Sequence, residues 1–82
     1  MARLYIDPHA LIVLRDNREI VLTVSEWRLL RLLLAQGFVR HDEWRGAYAS
    51  YENELRLCVL RLRRKLDMKI VAVRGIGYRY EQ

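Results

Sequence analysis

A chain of 82 residues is enough for one small domain, near the low end of what folds alone. With 52% hydrophobic and 30% charged residues, four Gly and one Pro, it is too apolar for a disordered tail and too charged for a membrane span. Its formal charge of +5 comes from 15 basic and ten acidic residues, and 13 of the basic ones are arginine.

The longest unbroken apolar runs, 10–14 and 32–35, fall well short of the about 18 residues a transmembrane helix needs. No cationic segment followed by an apolar one opens the chain, so a cytoplasmic protein without a secretory signal is expected. The single cysteine, Cys58, cannot close an intramolecular disulfide or build a zinc site alone. The basic excess is localised: residues 53–79 hold eight basic and two acidic side chains, a local charge of +6, and the remainder sums to −1. A basic C-terminal third on a nearly neutral body is the footprint of an anion-binding surface, most often one for nucleic acid.

In chain order, residues 3–6, 10–14 and 19–22 read as short strands rich in Ile, Val and Leu. Asp7-Pro8-His9 and Asp16-Asn17-Arg18 supply the turn chemistry between them. Thr23-Val24-Ser25-Glu26 fits a capping box, in which Thr23 accepts from the amide of Glu26 and Glu26 reaches back. The leucine-dense helix behind it stops at Gly37, a left-handed cap. Apart from Arg28 and Arg31 it is apolar on most faces, so it is expected to be the buried helix. Phe38-Val39 is extended, and residues 42–48 form a shorter second helix with Trp44 packed inward. Ser50 or Asn53 is available to cap a third helix over about residues 53–66. The tail, 70–80, alternates weakly around Arg74-Gly75-Ile76-Gly77 and reads as a β-hairpin with glycines at its tip.

The third helix is the most periodic segment. At about 100° per residue, Leu55, Val59, Leu62 and Leu66 share one stripe and face the core. The opposite stripe collects Asn53, Leu57, Leu60, Arg61 and Arg64, with Arg56 and Arg63 on a flank. Arginine on such a face can fork onto guanine O6 and N7, and leucine can contact a thymine methyl, in a major groove wide enough for a helix. Flanking arginines would meet phosphates, which position the helix without reading sequence. Arg74, at the tip of the hairpin, suits a narrow and electronegative minor groove. Gly75-Ile76-Gly77 lacks the further glycine and the following helix of a phosphate-binding loop.

Three stretches, L-T-V-S-E-W-R-L-L (22–30), R-L-R-R-K-L (61–66) and V-R-G-I-G-Y-R (73–79), resemble the OmpR/PhoB-type winged-helix effector domains of bacterial response regulators. Their order and spacing match, and the resemblance extends from Leu4 to Glu81. It implies an α+β fold, a winged helix-turn-helix with an N-terminal antiparallel sheet, three helices and a C-terminal β-hairpin wing. The whole of 1–82 is then one DNA-binding domain; Met1 runs directly into the first strand, so either a stand-alone effector domain or a part cut from a longer chain is expected. Such domains bind double-stranded DNA, often as tandem copies on direct repeats, and are nucleoid-associated when bound. The resemblance places the base-contacting arginine on Arg61 and the thymine-packing residue on Leu57. It places a phosphate contact on Arg63, the wing arginine on Arg74 and the wing tyrosine on Tyr78. Trp44 falls on a core leucine position.

This chain also departs from the pattern. Asn53 stands where an arginine commonly opens the recognition helix, Cys58 where a histidine is usual, and Leu60 at a position that is frequently basic. Three phosphate-type contacts are missing, partly replaced by Arg56 and Arg64. Each lost contact flattens the salt dependence by about one ion. The connection between the second and third helices is several residues shorter than in relatives, which touch RNA polymerase there.

Catalysis has little to stand on. His9 lies in a turn, His41 at a helix start, and Cys58 at the edge of the core stripe, where a small inert thiol is expected. The sequence therefore points to no enzyme, no cofactor and no metal. The leading expectation is sequence-specific DNA binding for transcription regulation. The alternatives are a protein-interaction module that anchors a partner through Leu57 and Leu60, and an architectural or recombination accessory protein that bends DNA with the same residues.

Overall fold

A computed structural model of the protein describes residues 3–47 and 54–81. The chain runs β1 (Leu4–Asp7), β2 (Ile12–Arg15), β3 (Arg18–Glu19), α1 (Val24–Gln36), β4 (Phe38–Arg40), α2 (His41–Ala47), α3 (Leu55–Leu66), β5 (Ile70–Val73) and β6 (Gly77–Tyr80). Two three-stranded antiparallel sheets, β1-β2-β3 and β4-β6-β5, flank the helices. This is the expected α+β winged helix.

The first sheet differs from expectation in where β2 begins and in the extent of β3. The Asp7 carboxylate accepts from the amides of His9 and Ala10, at 3.0 and 3.1 Å, which keeps both out of the ladder. Leu11 then adopts a left-handed φ of 56°, so β2 starts at Ile12 rather than at residue 10. Asp16 and Asn17 both take positive φ, as a tight hairpin of right-handed twist requires. The third strand is only Arg18–Glu19, because the chain beyond it turns toward α1. There the Val21 carbonyl accepts from Lys65 Nζ at 3.0 Å instead of from a neighbouring strand.

Both ends of α1 are as the sequence foretells. The Thr23 hydroxyl accepts from the Glu26 amide, the Glu26 carboxylate accepts from the Thr23 amide, and Gly37 closes the helix at φ 73°. Its surroundings are not as expected: only the face bearing Glu26, Trp27, Leu29, Leu30 and Leu33 is buried, while Val24 and Leu34 are exposed. On another side Arg31 Nη2 donates to the Pro8 carbonyl at 2.9 Å. Trp44 is buried from α2, and the stripe Leu55, Val59, Leu62 and Leu66 of α3 enters the core as its spacing demands, joined by Cys58. Burial pushes the Cys58 thiol up, toward its neutral form.

Beyond α3, the hairpin is larger than two strands. β4 pairs with β6 through Phe38↔Arg79, Val39↔Tyr78 and Arg40↔Gly77, so the wing grows out of a sheet that also starts α2. A Cβ on Gly77 would collide with the Val39 carbonyl oxygen, so this glycine serves the close approach of β4. Gly75, at φ 77°, meets the positive φ of the wing turn, in which the Ile76 amide donates to the Val73 carbonyl at 3.0 Å.

Candidate nucleic-acid interface

The third helix is held as a rigid strut from several directions. Its N-cap residue is Glu54, whose side chain makes no capping hydrogen bond; the expected caps Ser50 and Asn53 lie outside the described residues. At the other end Asp67 takes φ 53°, and its amide donates to the Arg63 carbonyl at 2.9 Å. Arg15, reaching from β2, donates through Nη1 to the carbonyls of Arg64 and Lys65, both at 3.2 Å. A cation there satisfies orphan carbonyls and complements the negative end of the helix. Sequence reasoning missed Arg15, since nothing local to it signals a contact 49 residues away.

On the inner side, Lys65 Nζ meets Glu26 Oε1 at 2.7 Å. The Glu26 side chain is wholly buried, and Oε2 is left without a hydrogen-bond partner. Burial by itself would raise its pKa, but the Lys65 ammonium together with the Thr23 amide and hydroxyl outweighs that and holds it below the usual carboxylate range.

Most other cations near the wing are also committed within the molecule. The Arg63 guanidinium donates from Nε to the Ile70 carbonyl at 2.8 Å, and Nη2 makes a second bond to the same oxygen. The resemblance expects Arg63 on a phosphate; within the fold its guanidinium ties α3 to the start of β5. Arg40 pairs with Asp42 at 3.1 Å. Arg79 and Lys69 both pair with Glu81, whose carboxyl the Lys69 hydrogen bond and charge hold below its ordinary value.

Besides Arg3 and Arg18 at the first sheet, what remains is a group of cations at α3 and the wing with no ion pair or side-chain hydrogen bond among the described residues. Arg56, Arg61 and Arg64 stand exposed on the outer side of α3, and Arg74 stands exposed on the wing turn. Leu57 is half-buried and Leu60 exposed on the same side of α3. Asn53, expected on this face, lies outside the described residues. Tyr78 is half-buried on β6, with its ring 5.6 Å from that of His41 and inclined at 75°. The His41 amide also donates to the Ile76 carbonyl at 2.9 Å, so His41 braces the wing against the start of α2. The sequence showed His41 only as a helix-start residue; its role depends on β4 pairing with β6.

No group of three or more His, Cys, Asp or Glu among the described residues could hold a metal ion. No helix among them is long and apolar enough to cross a membrane.

Three helices and a β-wing, with a cationic outer face on the third helix, define a winged-helix domain. No family model matches the chain. It is similar to the transcriptional regulatory protein KdpE of Mycobacterium tuberculosis, in strains CDC 1551/Oshkosh and ATCC 25618/H37Rv. Each is 32% identical to it, over 84% of this chain and 36% of the relative. The chain thus spans about a third of the length of the curated relatives it matches. With the motifs, the fold and this similarity in agreement, the chain belongs to the OmpR/PhoB-type winged-helix effector domains.

Proposed function

We propose that this domain binds double-stranded DNA sequence-specifically and serves transcription regulation. In this reading α3 lies in the major groove, with Arg61 on a base edge, Leu57 against thymine, and Arg56 and Arg64 on phosphates. Arg74 enters the minor groove, and Tyr78 flanks it on the wing.

One observation carries the reading. Arg56, Arg61, Arg64 and Arg74 are exposed and without an internal partner among the described residues, whereas Arg15, Arg40, Arg63, Lys65, Lys69 and Arg79 are engaged inside the molecule. Arg3 and Arg18, at the first sheet, are exposed and unpaired among the described residues as well, but the unpaired guanidiniums that cluster lie on one helix face and one loop tip, which favours a polyanion whose condensed counterions they can release. The similarity to a transcriptional regulatory protein supports the same reading. The alternative of a protein partner seated on Leu57 and Leu60 is weaker, because it would desolvate the arginines around them.

The test is selection of bound duplexes from a randomised library at near-physiological salt, followed by sequencing. Enrichment of a short motif is the expected result, and a tandem repeat of it would indicate two copies. Capture without enrichment would point to architectural binding. No capture, even at low salt, would overturn DNA binding altogether.

A further inference from the structure

Leu60 is the one exposed apolar residue of α3; the core uses neither it nor the half-buried Leu57. The buried stripe is complete without it, since Leu55, Cys58, Val59, Leu62 and Leu66 are each 4% exposed or less. Leu60 is 42% exposed. Helical spacing sets Arg56 and Leu57 one turn before it and Arg64 one turn after it, with Arg61 adjacent. Exposed leucines are common on protein surfaces. This one differs in standing among three guanidiniums that have no internal partner, on the face proposed above to enter the major groove. That charge suits a polyanion and disfavours an apolar protein surface.

A leucine has neither donor nor acceptor, so it cannot distinguish the O4 of thymine from the amino group of cytosine. The apolar feature that a base pair presents in the major groove is the methyl group on pyrimidine C5. Thymine carries it, 5-methylcytosine carries it, and uracil and unmodified cytosine do not.

Resting on the DNA-binding reading, we propose that Leu60 makes this domain a reader of a pyrimidine C5 methyl group. At the position facing Leu60, thymine and 5-methylcytosine satisfy the site, while uracil and cytosine are disfavoured. The specificity there is for methylation at C5 rather than for a particular base pair. Where the site presents cytosine, binding therefore depends on whether that cytosine is methylated. Removing one buried methyl group is worth about a three- to fourfold change in affinity.

The experiment uses the duplex selected above, with fluorescence anisotropy as the readout, on the wild-type protein and on Leu60→Ala. Each thymine is replaced in turn by deoxyuridine, which deletes only the methyl group. At one position the wild type is expected to weaken by about three- to fourfold, and Leu60→Ala to be indifferent. With a C·G pair at that position, methylation of the cytosine should strengthen wild-type binding by a similar factor and leave Leu60→Ala unmoved. A thymine read by Leu57 would keep its uracil effect in both proteins. Because Leu60 lies outside the core, circular dichroism and the urea midpoint of the variant should match wild type.

The proposal is overturned if the wild type binds its selected site but no uracil effect is lost in Leu60→Ala. It is equally overturned if cytosine methylation at the position changes nothing. A wild-type protein that binds no duplex overturns the DNA reading itself, and this inference falls with it.

Discussion

The two sides of α3 use the same residue types for opposite ends. Toward α1, leucines disappear into the core and Lys65 is held by the buried Glu26 carboxylate. Away from it, Leu60 is exposed and Arg56, Arg61 and Arg64 have no partner among the described residues. Arg63 and Arg64 sharpen the contrast: these neighbours in sequence differ by about 100° around the helix, and one is bonded to Ile70 while the other is free. Composition alone does not tell a structural cation from a ligand-binding one; the presence of an acceptor within reach does.

The largest effect that could break this comparison is at the core. Leu62→Ala should cost about 2–5 kcal/mol of stability in urea unfolding, through lost burial and the cavity left behind. Leu60→Ala on the opposite side should stay within about 0.5 kcal/mol. Equal losses would mean the two sides are not distinct.

Glu26→Gln comes next, at about 1–3 kcal/mol. Removing one partner of a buried pair is costly, but Lys65 is a third exposed, which moderates the loss. The pH dependence has a definite sign. Folding holds the Glu26 pKa below its ordinary value of 4.5, so its contribution is complete above about that pH and is lost as pH falls through the folded value. Urea midpoints taken between neutral pH and pH 3 should therefore fall more steeply for the wild type than for Glu26→Gln. Parallel profiles would show that Lys65 does not stabilise the carboxylate.

On the outer side the effects belong to binding. Arg61→Ala should lose about 1–3 kcal/mol of DNA affinity and relax preference at one base position, with the urea midpoint unchanged. An unchanged base preference would remove Arg61 from the major groove.

The smallest and most discriminating test sets Arg63→Ala beside Arg64→Ala. The first should lower stability by about 1 kcal/mol, since a charged donor leaves the Ile70 carbonyl. The second should leave stability alone and reduce the salt dependence of DNA binding by about one ion. If both variants behaved alike, the division between engaged and free arginines would carry no functional meaning.

Local chemistry made much of the fold legible. The capping box of Thr23 and Glu26, the left-handed Gly37 and the 3.6-residue stripe of α3 are each written within a few residues, so periodicity and cap chemistry suffice to read them. The basic outer face of α3 and the arginine-tipped wing turn were legible for the same reason. Less legible was where the N-terminal strands begin and end. Ala10 looks like strand until the Asp7 carboxylate captures its amide, and residues 21–22 look like strand until the chain, after a last bond from the Ile20 amide to the Val13 carbonyl, leaves the sheet for α1.

The amino-acid sequence by itself determined the order of elements, the core stripe of α3 and the concentration of positive charge in the last third of the chain. Only the tertiary structure decided which of those charges are available. The pairing of β4 with β6, the Arg15 bonds to the end of α3, the Arg63 bond to Ile70 and the contact of His41 with Tyr78 all join segments through folding. An arginine's role follows from the nearest acceptor in space, and distance in space is what a linear pattern does not contain.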